Sequence, residues 1–472
     1  MTFNSLAFLV FLLIVFSLYW LCERRVQNLL LLVASYVFYG WWDWRFLIMI
    51  ILSSLLDFWI GLRIAGTENR FHRKCYLAIT LISNLGLLGF FKYFNFFAEN
   101  LARLLHGLGF QATWTTLHIL LPVGISFYTF KTLSYSIDVY RGECPAHRNL
   151  LEFLAFIAFF PELVAGPIMR AATLLPQFVH SRSFDLELAK DGARQMLWGF
   201  FQKVVVADGL SAYVNTKFAA GSGAHGEELL LAGYFFAFQI YCDFAGYSNI
   251  AFGIARLFGF TLVRNFNCPY FSRNTAEFWQ RWHISLSTWF RDYVYIPLGG
   301  SRVSFPRVVF NILLTFAISG LWHGASWTFV IWGVLNGLYF VPILFRRHYF
   351  GRKEAGAKDA PRLRDWPWMF LVFHLILIGW IFFRAESIGR ALAIFKTMAV
   401  DFHPVAFLSG ELKLKALIAC LALAEWLQRR KAHPFEIRDF ARPVRWFAYN
   451  AMAFVILFWG SFAYTPFIYY QF

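Results

Sequence analysis

The residue most able to do chemistry is His323, which lies in a short segment between two long apolar stretches. The segment 320–327 combines small residues with tryptophans, and its glycines leave space beside the imidazole for a substrate. A neutral imidazole, whose ordinary pKa is about 6.5, can accept a hydroxyl proton and return it to a leaving thiol. If residues 306–323 form one helix, His323 lies about 26 Å along it, toward the outer side of a membrane. The residue types alone also allow a packing role for this histidine.

A second candidate site is the aromatic and basic segment 278–302, which contains His283. Tryptophans and arginines at helical spacing are typical of an amphipathic helix on the inner leaflet. The same residue types suit a thioester donor that carries phosphates, because arginine pairs with phosphate and aromatic rings stack on a base. The candidate phosphate contacts are Arg281, Arg291 and Arg302. Both interpretations of the segment stay open.

Ionisable side chains within apolar stretches are costly in lipid, so each is a candidate functional group. Besides His323, the sequence places these inside such stretches: Asp57, Lys92, Lys131, Glu162, Asp243 and His374. We interpret Asp57, Lys92 and Lys131 as structural, because side chains near span ends can extend to water. His374 is interpreted as a packing histidine, and Glu162 is assigned no chemistry. Asp243 stays a candidate.

Composition predicts a membrane protein. Of 472 residues, 59% are hydrophobic, 21% are aromatic and only 15% are charged, and apolar runs of about 18 residues or more recur along the chain. The net charge of +16 lies in short loops between these runs, as expected for topology signals rather than for nucleic-acid binding. The six cysteines form no C-x-x-C pair, so the sequence predicts neither a disulfide framework nor a metal site.

The distribution of basic loops predicts an all-α polytopic membrane protein with a retained first span and an N-terminus on the outer side. About eleven transmembrane helices are expected, with re-entrant or interfacial helices where prolines, glycines and Lys203 interrupt residues 151–168 and 195–206. Residues 264–307 are expected to be a cytoplasmic amphipathic motif, and residues 305–346 a catalytic hairpin. Residues 1–472 are predicted to form one integral membrane domain.

Several motifs together resemble one known family. They are 121–127 (LPVGISF), 243–248 (DFAGYS), 277–302, the histidine turn 321–324 (LWHG) and the closing 467–472 (FIYYQF). Their order along almost the whole chain resembles the membrane-bound O-acyltransferases, and within them the bacterial branch that O-acetylates alginate.

This resemblance implies a ring of tilted helices around a central tunnel that brings an acyl thioester from the cytoplasm to a buried histidine. His323 matches the essential histidine of the family, and Trp322 beside it is a supporting residue. His283 matches a second histidine of this branch, within the same motif as Trp282 and Arg281. Asp243 is expected near the central chamber, where it either orients a histidine or holds two helices together.

The function implied is transfer of acetyl from a cytoplasmic donor, acetyl-CoA or another acetyl thioester, for O-acetylation of an exported polysaccharide. Alginate is the first candidate, completed by periplasmic acetyltransferase partner proteins, and no nucleic acid or permanently bound cofactor is expected. The alternatives are acetylation of cellulose or another exopolysaccharide, D-alanylation of teichoic acid, and a transporter or scaffold subunit of a secretion system.

Overall fold

The computed structural model of the protein describes residues 1–110, 117, 120–219, 223–351, 356, 359–462 and 467–468. Over these ranges the regular structure is entirely helical, as the sequence predicts. The chain divides into two compact units. The first comprises Met1–Ala189 and Ile254–Leu262, and the second comprises Lys190–Gly253 and Val263–Phe472. The prediction of one continuous domain stays a prediction.

The first unit is built from nine helices within its described residues. They are α1 Leu6–Trp20, α2 Arg24–Asp43, α3 Leu47–Ala65, α4 Arg70–Leu88, α5 Phe94–Gly107, α6 Ile125–Arg141, α7 Leu150–Ala158, α8 Phe160–Leu163 and α9 Ala171–Val179. A 3-10 turn at Trp44–Phe46 joins α2 to α3, and a π-helical segment at Gly89–Tyr93 joins α4 to α5.

The second unit holds the candidate site. Its helices are α10 Leu186–Phe200, which leads into it, α11 Asp208–Phe218, α12 Gly226–Leu257, which leads out of it, α13 Thr275–Arg281, α14 Ile284–Phe290, α15 Phe305–His323, α16 Trp327–Phe350, α17 Trp366–Arg384, α18 Ile388–Val400, α19 Pro404–Ser409, α20 Leu412–Gln428 and α21 Arg442–Trp459. Two π-helical segments, Phe201–Ala207 and Arg291–Tyr295, follow α10 and α14. Two 3-10 turns, Pro269–Phe271 and Leu363–Asp365, precede α13 and α17.

Six helical segments of the described chain are long and apolar enough to cross a membrane. They are Arg24–Ala65, Arg70–Gly107, Gly226–Leu257, Phe305–His323, Trp327–Phe350 and Leu363–Arg384. The protein is therefore a multi-pass membrane protein. The predicted total of about eleven crossings and the ring around a tunnel stay predictions. The sequence also predicts a span that begins near His118, and His118 lies outside the described residues.

Buried polar groups in the first unit are paired with one another. Asp57 accepts hydrogen bonds from Thr80, from Asn84 at 2.9 Å and from Ser136 at 3.1 Å. This pairing supports the structural interpretation of Asp57, although the side chain is buried rather than extended to water.

Lys131 and Glu162 form a buried ion pair in the first unit, and the ammonium also donates to the carbonyl of Phe156. The prediction that Lys131 extends to water is therefore wrong. A buried lysine is tolerated where a carboxylate and a carbonyl replace its hydration.

In the second unit, α10 and α12 pack along pairs of glycines. A Cβ atom on Gly246 would lie 2.7 Å from the carbonyl oxygen of Gly199, and one on Gly253 would lie 2.4 Å from that of Gly192. Only glycine allows backbones to approach this closely in an apolar helix pair. The contact aligns the π-helical segment after α10, which carries Lys203, with the middle of α12.

Helices α15 and α16 form a close-packed hairpin, as the sequence predicts for residues 305–346. A Cβ atom on Gly320 would lie 2.2 Å from the carbonyl oxygen of Phe329, and one on Gly333 would lie 2.2 Å from that of Phe316. The two backbones therefore touch just before the end of α15, and this contact determines where α15 delivers its last residue, His323.

We expect the substitution Gly333→Ala to lower the thermal midpoint of the purified protein, because the added methyl group must push α15 away from α16. Overpacking of this kind costs about 1–3 kcal/mol. Gly86→Ala in α4 is the matched control, since a Cβ atom there meets nothing within 4 Å. The measurement is the thermal midpoint in detergent, obtained from the amount of folded protein that size-exclusion chromatography detects after heating. Equal midpoints for the two variants would contradict the packing described here.

Candidate active site

His323 is the last residue of α15 and lies buried among aromatic rings. Its exposed fraction is 2%, and its ring centroid lies 5.0 Å from those of Trp322 and Trp332 and 5.6 Å from that of Phe383. These partners belong to α15, α16 and α17, so three membrane-crossing helices meet at the imidazole. Aromatic walls exclude water and hold the ring in one orientation.

The small residue after His323 does not provide space for a substrate, contrary to the sequence interpretation. A Cβ atom on Gly324 would lie 2.2 Å from the ring of Phe329, so that ring already fills the gap. Gly324 is needed because a larger residue would collide with Phe329. The ring of Phe329 packs at 4.7 Å against Phe383, which in turn contacts the imidazole of His323. The turn is therefore closely packed, and its side chains hold His323 in position.

His283 is held in a left-handed backbone conformation between α13 and α14. Its φ is 42°, which is uncommon for a residue with a side chain. Nδ1 donates to Oδ1 of Asn265 at 3.2 Å, and the same oxygen accepts from the backbone N–H and the hydroxyl of Ser285. Burial lowers the pKa of His283 to about 3, so the ring is neutral and Nε2 carries the lone pair.

The structure brings the two predicted histidines beside the same indole. The ring of Trp322 lies 6.3 Å from that of His283 and 5.0 Å from that of His323. His283 also packs edge-on against Phe244 of α12 at 4.5 Å. A residue predicted for a cytoplasmic motif and a residue predicted toward the outer side thus share one aromatic neighbour.

The motif around His283 is not an amphipathic surface helix, which corrects one of the two interpretations of its sequence. It consists of the short helices α13 and α14, and its tryptophans face inward. Trp282 packs at 5.0 Å against Trp380, and Trp279 packs at 5.7 Å against Trp332. A tryptophan cluster (Trp279, Trp282, Trp322, Trp332 and Trp380) therefore connects the motif to the surroundings of His323.

Arg281 is occupied by internal contacts. It is 1% exposed and forms two hydrogen bonds with Glu277 at 3.0 and 2.8 Å, together with bonds to the carbonyl oxygens of Asn267 and Asp359. A guanidinium engaged in this way anchors the motif. Among the three arginines proposed as phosphate contacts, Arg291 and Arg302 are the exposed ones.

Asp243 is the centre of a buried charge cluster in the middle of α12. Its Oδ1 lies 2.7 Å from the ammonium of Lys203, which lies 2.8 Å from Oδ1 of Asp208, and its Oδ2 accepts from the backbone N–H of Ile468 at 2.7 Å. Of the two roles expected for Asp243, these contacts support the one that holds elements together. The carboxylate attaches both the segment after α10 and the closing segment to α12.

The closing segment extends the aromatic surroundings of His283. Phe467 packs at 5.6 Å against Phe244, which also contacts His283, and at 5.3 Å against Tyr247. Residues 469–472 of the closing motif lie outside the described residues.

Sequence reasoning missed three polar residues that shape this region. Lys203 was noted only as an interruption of an apolar run, and Asn265 carries no sequence signal. Glu425 accepts a hydrogen bond of 2.5 Å from the hydroxyl of Tyr241, and a buried acid in the apolar helix α20 could have been identified by the rule applied to Asp243.

His374 forms hydrogen bonds through both ring nitrogens, to Tyr234 and to the carbonyl of Phe370, as expected of a packing histidine.

Comparison with known proteins finds a family for this chain. Residues 145–383 match the sequence model of "MBOAT, membrane-bound O-acyltransferase family". That range contains α12, the His283 motif, the hairpin α15–α16 and α17 up to Phe383.

Curated relatives match over most of their length. A probable alginate O-acetylase of Pseudomonas aeruginosa is 43% identical over 84% of this chain and 75% of its own. A protein of the same name from Pseudomonas putida is 38% identical over the whole of both chains. A peptidoglycan O-acetyltransferase of Helicobacter pylori is 32% identical over 84% of this chain and 79% of its own.

We expect Lys203→Met to destabilise the protein strongly, because it leaves Asp208 and Asp243 buried without their cation. Removing one partner from a buried ion pair costs about 3–5 kcal/mol. Lys217→Met is the matched control. It breaks the Lys217–Glu228 pair, whose side chains are 23% and 32% exposed, and should cost less than about 1 kcal/mol. Yield of folded protein and thermal midpoint measure the difference, and similar losses in both variants would contradict the buried cluster.

Proposed function

Because the chain belongs to the membrane-bound O-acyltransferase family, we propose that it is an O-acetyltransferase acting on an exported polysaccharide. Alginate is the first candidate acceptor, since relatives at 38–43% identity carry the name alginate O-acetylase. The observation that carries the proposal is His323 at the end of α15, enclosed by aromatic rings, with Trp322 as a neighbour that it shares with His283. Buried, oriented imidazoles of this kind serve general base catalysis.

The proposed donor is acetyl-CoA, or another acetyl thioester with a pantetheine arm. A cavity of about 320 Å³ runs between the His283 motif and α15, within the usual size range of small-molecule sites. Its walls include Ile284, which follows His283, and Ser319, which lies one turn before His323. Arg291, whose side chain is 60% exposed, stands at its edge. An apolar groove with a guanidinium at its edge suits a thioester arm that ends in phosphates.

The proposed reaction uses His323 as the general base. The imidazole removes the proton of the acceptor hydroxyl while the oxygen attacks the thioester carbonyl, so that a C–O bond forms and the C–S bond breaks. The proton then passes to the sulfur, which leaves as a thiol, and the neutral imidazole is restored. His283, neutral and fixed by Asn265, acts in positioning the donor end of the site.

The proposed setting is the bacterial inner membrane, with a periplasmic N-terminus and the donor on the cytoplasmic side. Periplasmic acetyltransferase partners complete the transfer to the polymer. Support for this orientation comes from the positive residues clustered in residues 264–307 and 429–445, near the helix ends where the positive-inside rule expects cytoplasm.

We expect His323→Ala to lower the acetyl ester content of the secreted polysaccharide by at least about 100-fold, the size of a general-base contribution. His374→Gln is the control, because it replaces a histidine of another span that has both nitrogens hydrogen-bonded within the protein. His283→Ala in the same series measures the contribution of the positioning histidine. Membrane levels of each variant are measured by immunoblot.

Normal acetylation by His323→Ala at normal protein level would contradict catalysis and favour a scaffold, and a transporter would likewise tolerate the change. If His323→Ala instead removes acetyl esters from peptidoglycan and leaves those of the exopolysaccharide, the acceptor is peptidoglycan, which the name of the Helicobacter pylori relative gives as its acceptor.

We expect Arg291→Ala to raise the KM for acetyl-CoA about tenfold with little change in kcat, because a charge-assisted contact to phosphate contributes to binding the donor rather than to the chemical step. Arg302→Ala is the matched control, since Arg302 is exposed in the same basic segment but does not line the cavity. Rates of acetyl transfer by isolated membranes give both constants. Equal KM values for Arg291→Ala and the wild type would move the donor out of this cavity.

A further inference from the structure

A group of histidines and carboxylates lies at the start of α12, away from the proposed active site. His225 immediately precedes α12 and Glu227 is in its first turn, whereas Asp401 and His403 come from the connection between α18 and α19. The group lies about 27 Å along α12 from Asp243, at 1.5 Å per residue. Neither the proposed reaction nor the family match assigns it a role.

The two segments are joined through their backbones, which forces the side chains together. The N–H of Gly226 donates to the carbonyl oxygen of Asp401 at 2.7 Å, and the N–H of His403 donates to the carboxylate of Glu227 at 3.1 Å. A Cβ atom on Gly226 would lie 2.6 Å from that same carbonyl oxygen and 2.7 Å from that of Thr397. Glycine is therefore required at the one position where this joint brings the backbones into contact.

The donor atoms of His225, Asp401 and His403 lie within 4.8 Å of one another. Nδ1 of His225 lies 2.9 Å from Asp401 Oδ2, and Nδ1 of His403 lies 3.2 Å from Glu227 Oε2 and 3.9 Å from Asp401 Oδ1. The two imidazole rings are perpendicular, with centroids 5.6 Å apart. Atoms bound to one tetrahedral metal at about 2.1 Å lie about 3.4 Å from one another, which falls within the observed range.

Charge and donor type select the ion. Two neutral imidazoles and two carboxylates carry a net charge of −2, which a divalent cation balances. Nitrogen and carboxylate donors suit Zn²⁺ and its neighbours in the first transition row, whereas Mg²⁺ and Ca²⁺ prefer sites made only of oxygen. Glu227, whose side chain is 7% exposed, supplies a desolvated carboxylate beside the more accessible histidines.

We infer that His225, Asp401 and His403, with the carboxylate of Glu227 beside His403, form a binding site for a divalent transition-metal ion, with Zn²⁺ preferred. The bound ion ties the start of α12 to the α18–α19 connection. The same region borders a cavity of about 620 Å³ that Glu227, Lys217 and Phe407 help to line, so the ion also stiffens one wall of that cavity. The role is structural, and it is independent of the acetyl-transfer chemistry proposed above.

Metal titration of the purified protein, prepared without a polyhistidine tag, tests this site. We expect the wild type to bind about one equivalent of Zn²⁺ by calorimetry, and Co²⁺ to give the intense visible absorption of a tetrahedral site. His225→Gln and His403→Gln should each weaken binding at least about 100-fold, since second-shell changes alone cost 10–100-fold. His106→Gln, an exposed histidine at the end of α5, is the matched control and should bind as the wild type does.

Asp401→Asn keeps an oxygen that can accept from His225 but removes the charge, so it tests the ligand set in a protein that retains its hydrogen bonds. We expect weaker Zn²⁺ binding and a smaller rise of the thermal midpoint on adding Zn²⁺ than in the wild type. Wild-type protein that binds no Zn²⁺, or variants of the cluster that bind it as tightly as His106→Gln does, would overturn the inference.

Discussion

The position of His323 depends on the backbone contact between α15 and α16. Gly320 and Gly333 have no side chains, so the two backbones can touch. A Cβ atom on either glycine would lie only 2.2 Å from a carbonyl oxygen of the other helix. This contact fixes the position of the last turn of α15, and therefore of His323. The ring of Phe329 then fills the gap beside Gly324, and Phe383 packs against both that ring and the imidazole. The orientation of the candidate base is thus a consequence of helix packing, since close-packed interiors permit few alternative rotamers.

Around this hairpin, buried ion pairs hold the helices of the second unit together. In an apolar environment an ion without a partner costs several kcal/mol, so each buried charge of the second unit selects an arrangement of helices in which it is paired. Lys203 can satisfy two aspartates only if the segment after α10 lies against α12, and the glycine pairs between these helices allow that approach. Asp243 then also accepts from Ile468, which holds the closing segment beside Phe244 and His283.

The aromatic residues connect the chemistry to this framework. Trp322 contacts both histidines, and the tryptophan cluster links α13 and the residue after it to α15, α16 and α17. Because indole rings are rigid and exclude water, they fix the position of the His283 motif relative to His323. The metal-binding cluster inferred at the start of α12 lies far from this chemistry and stabilises a different end of the same helix.

The sequence by itself determined the class of the protein, its helical hairpin and its candidate base. Long apolar runs can only be satisfied as helices in lipid, and an ionisable residue in such a run is rare enough to be conspicuous, so His323 and Asp243 were identified from their surroundings alone. The order of motifs along the chain identified the family.

Only the tertiary structure decided which polar groups meet. Asn265 beside His283, Lys203 beside Asp243, and His225 beside Asp401, which is 176 residues away, are pairings between distant segments, and nothing in local composition encodes them. The same reason explains the corrected expectations. Arg281 and the tryptophans of its motif have the composition of a surface helix, yet they are buried. Glu277 of the same helix supplies the carboxylate, the loops at Asn267 and Asp359 supply carbonyl oxygens, and other helices of the unit supply aromatic faces that lipid or water would otherwise have to provide.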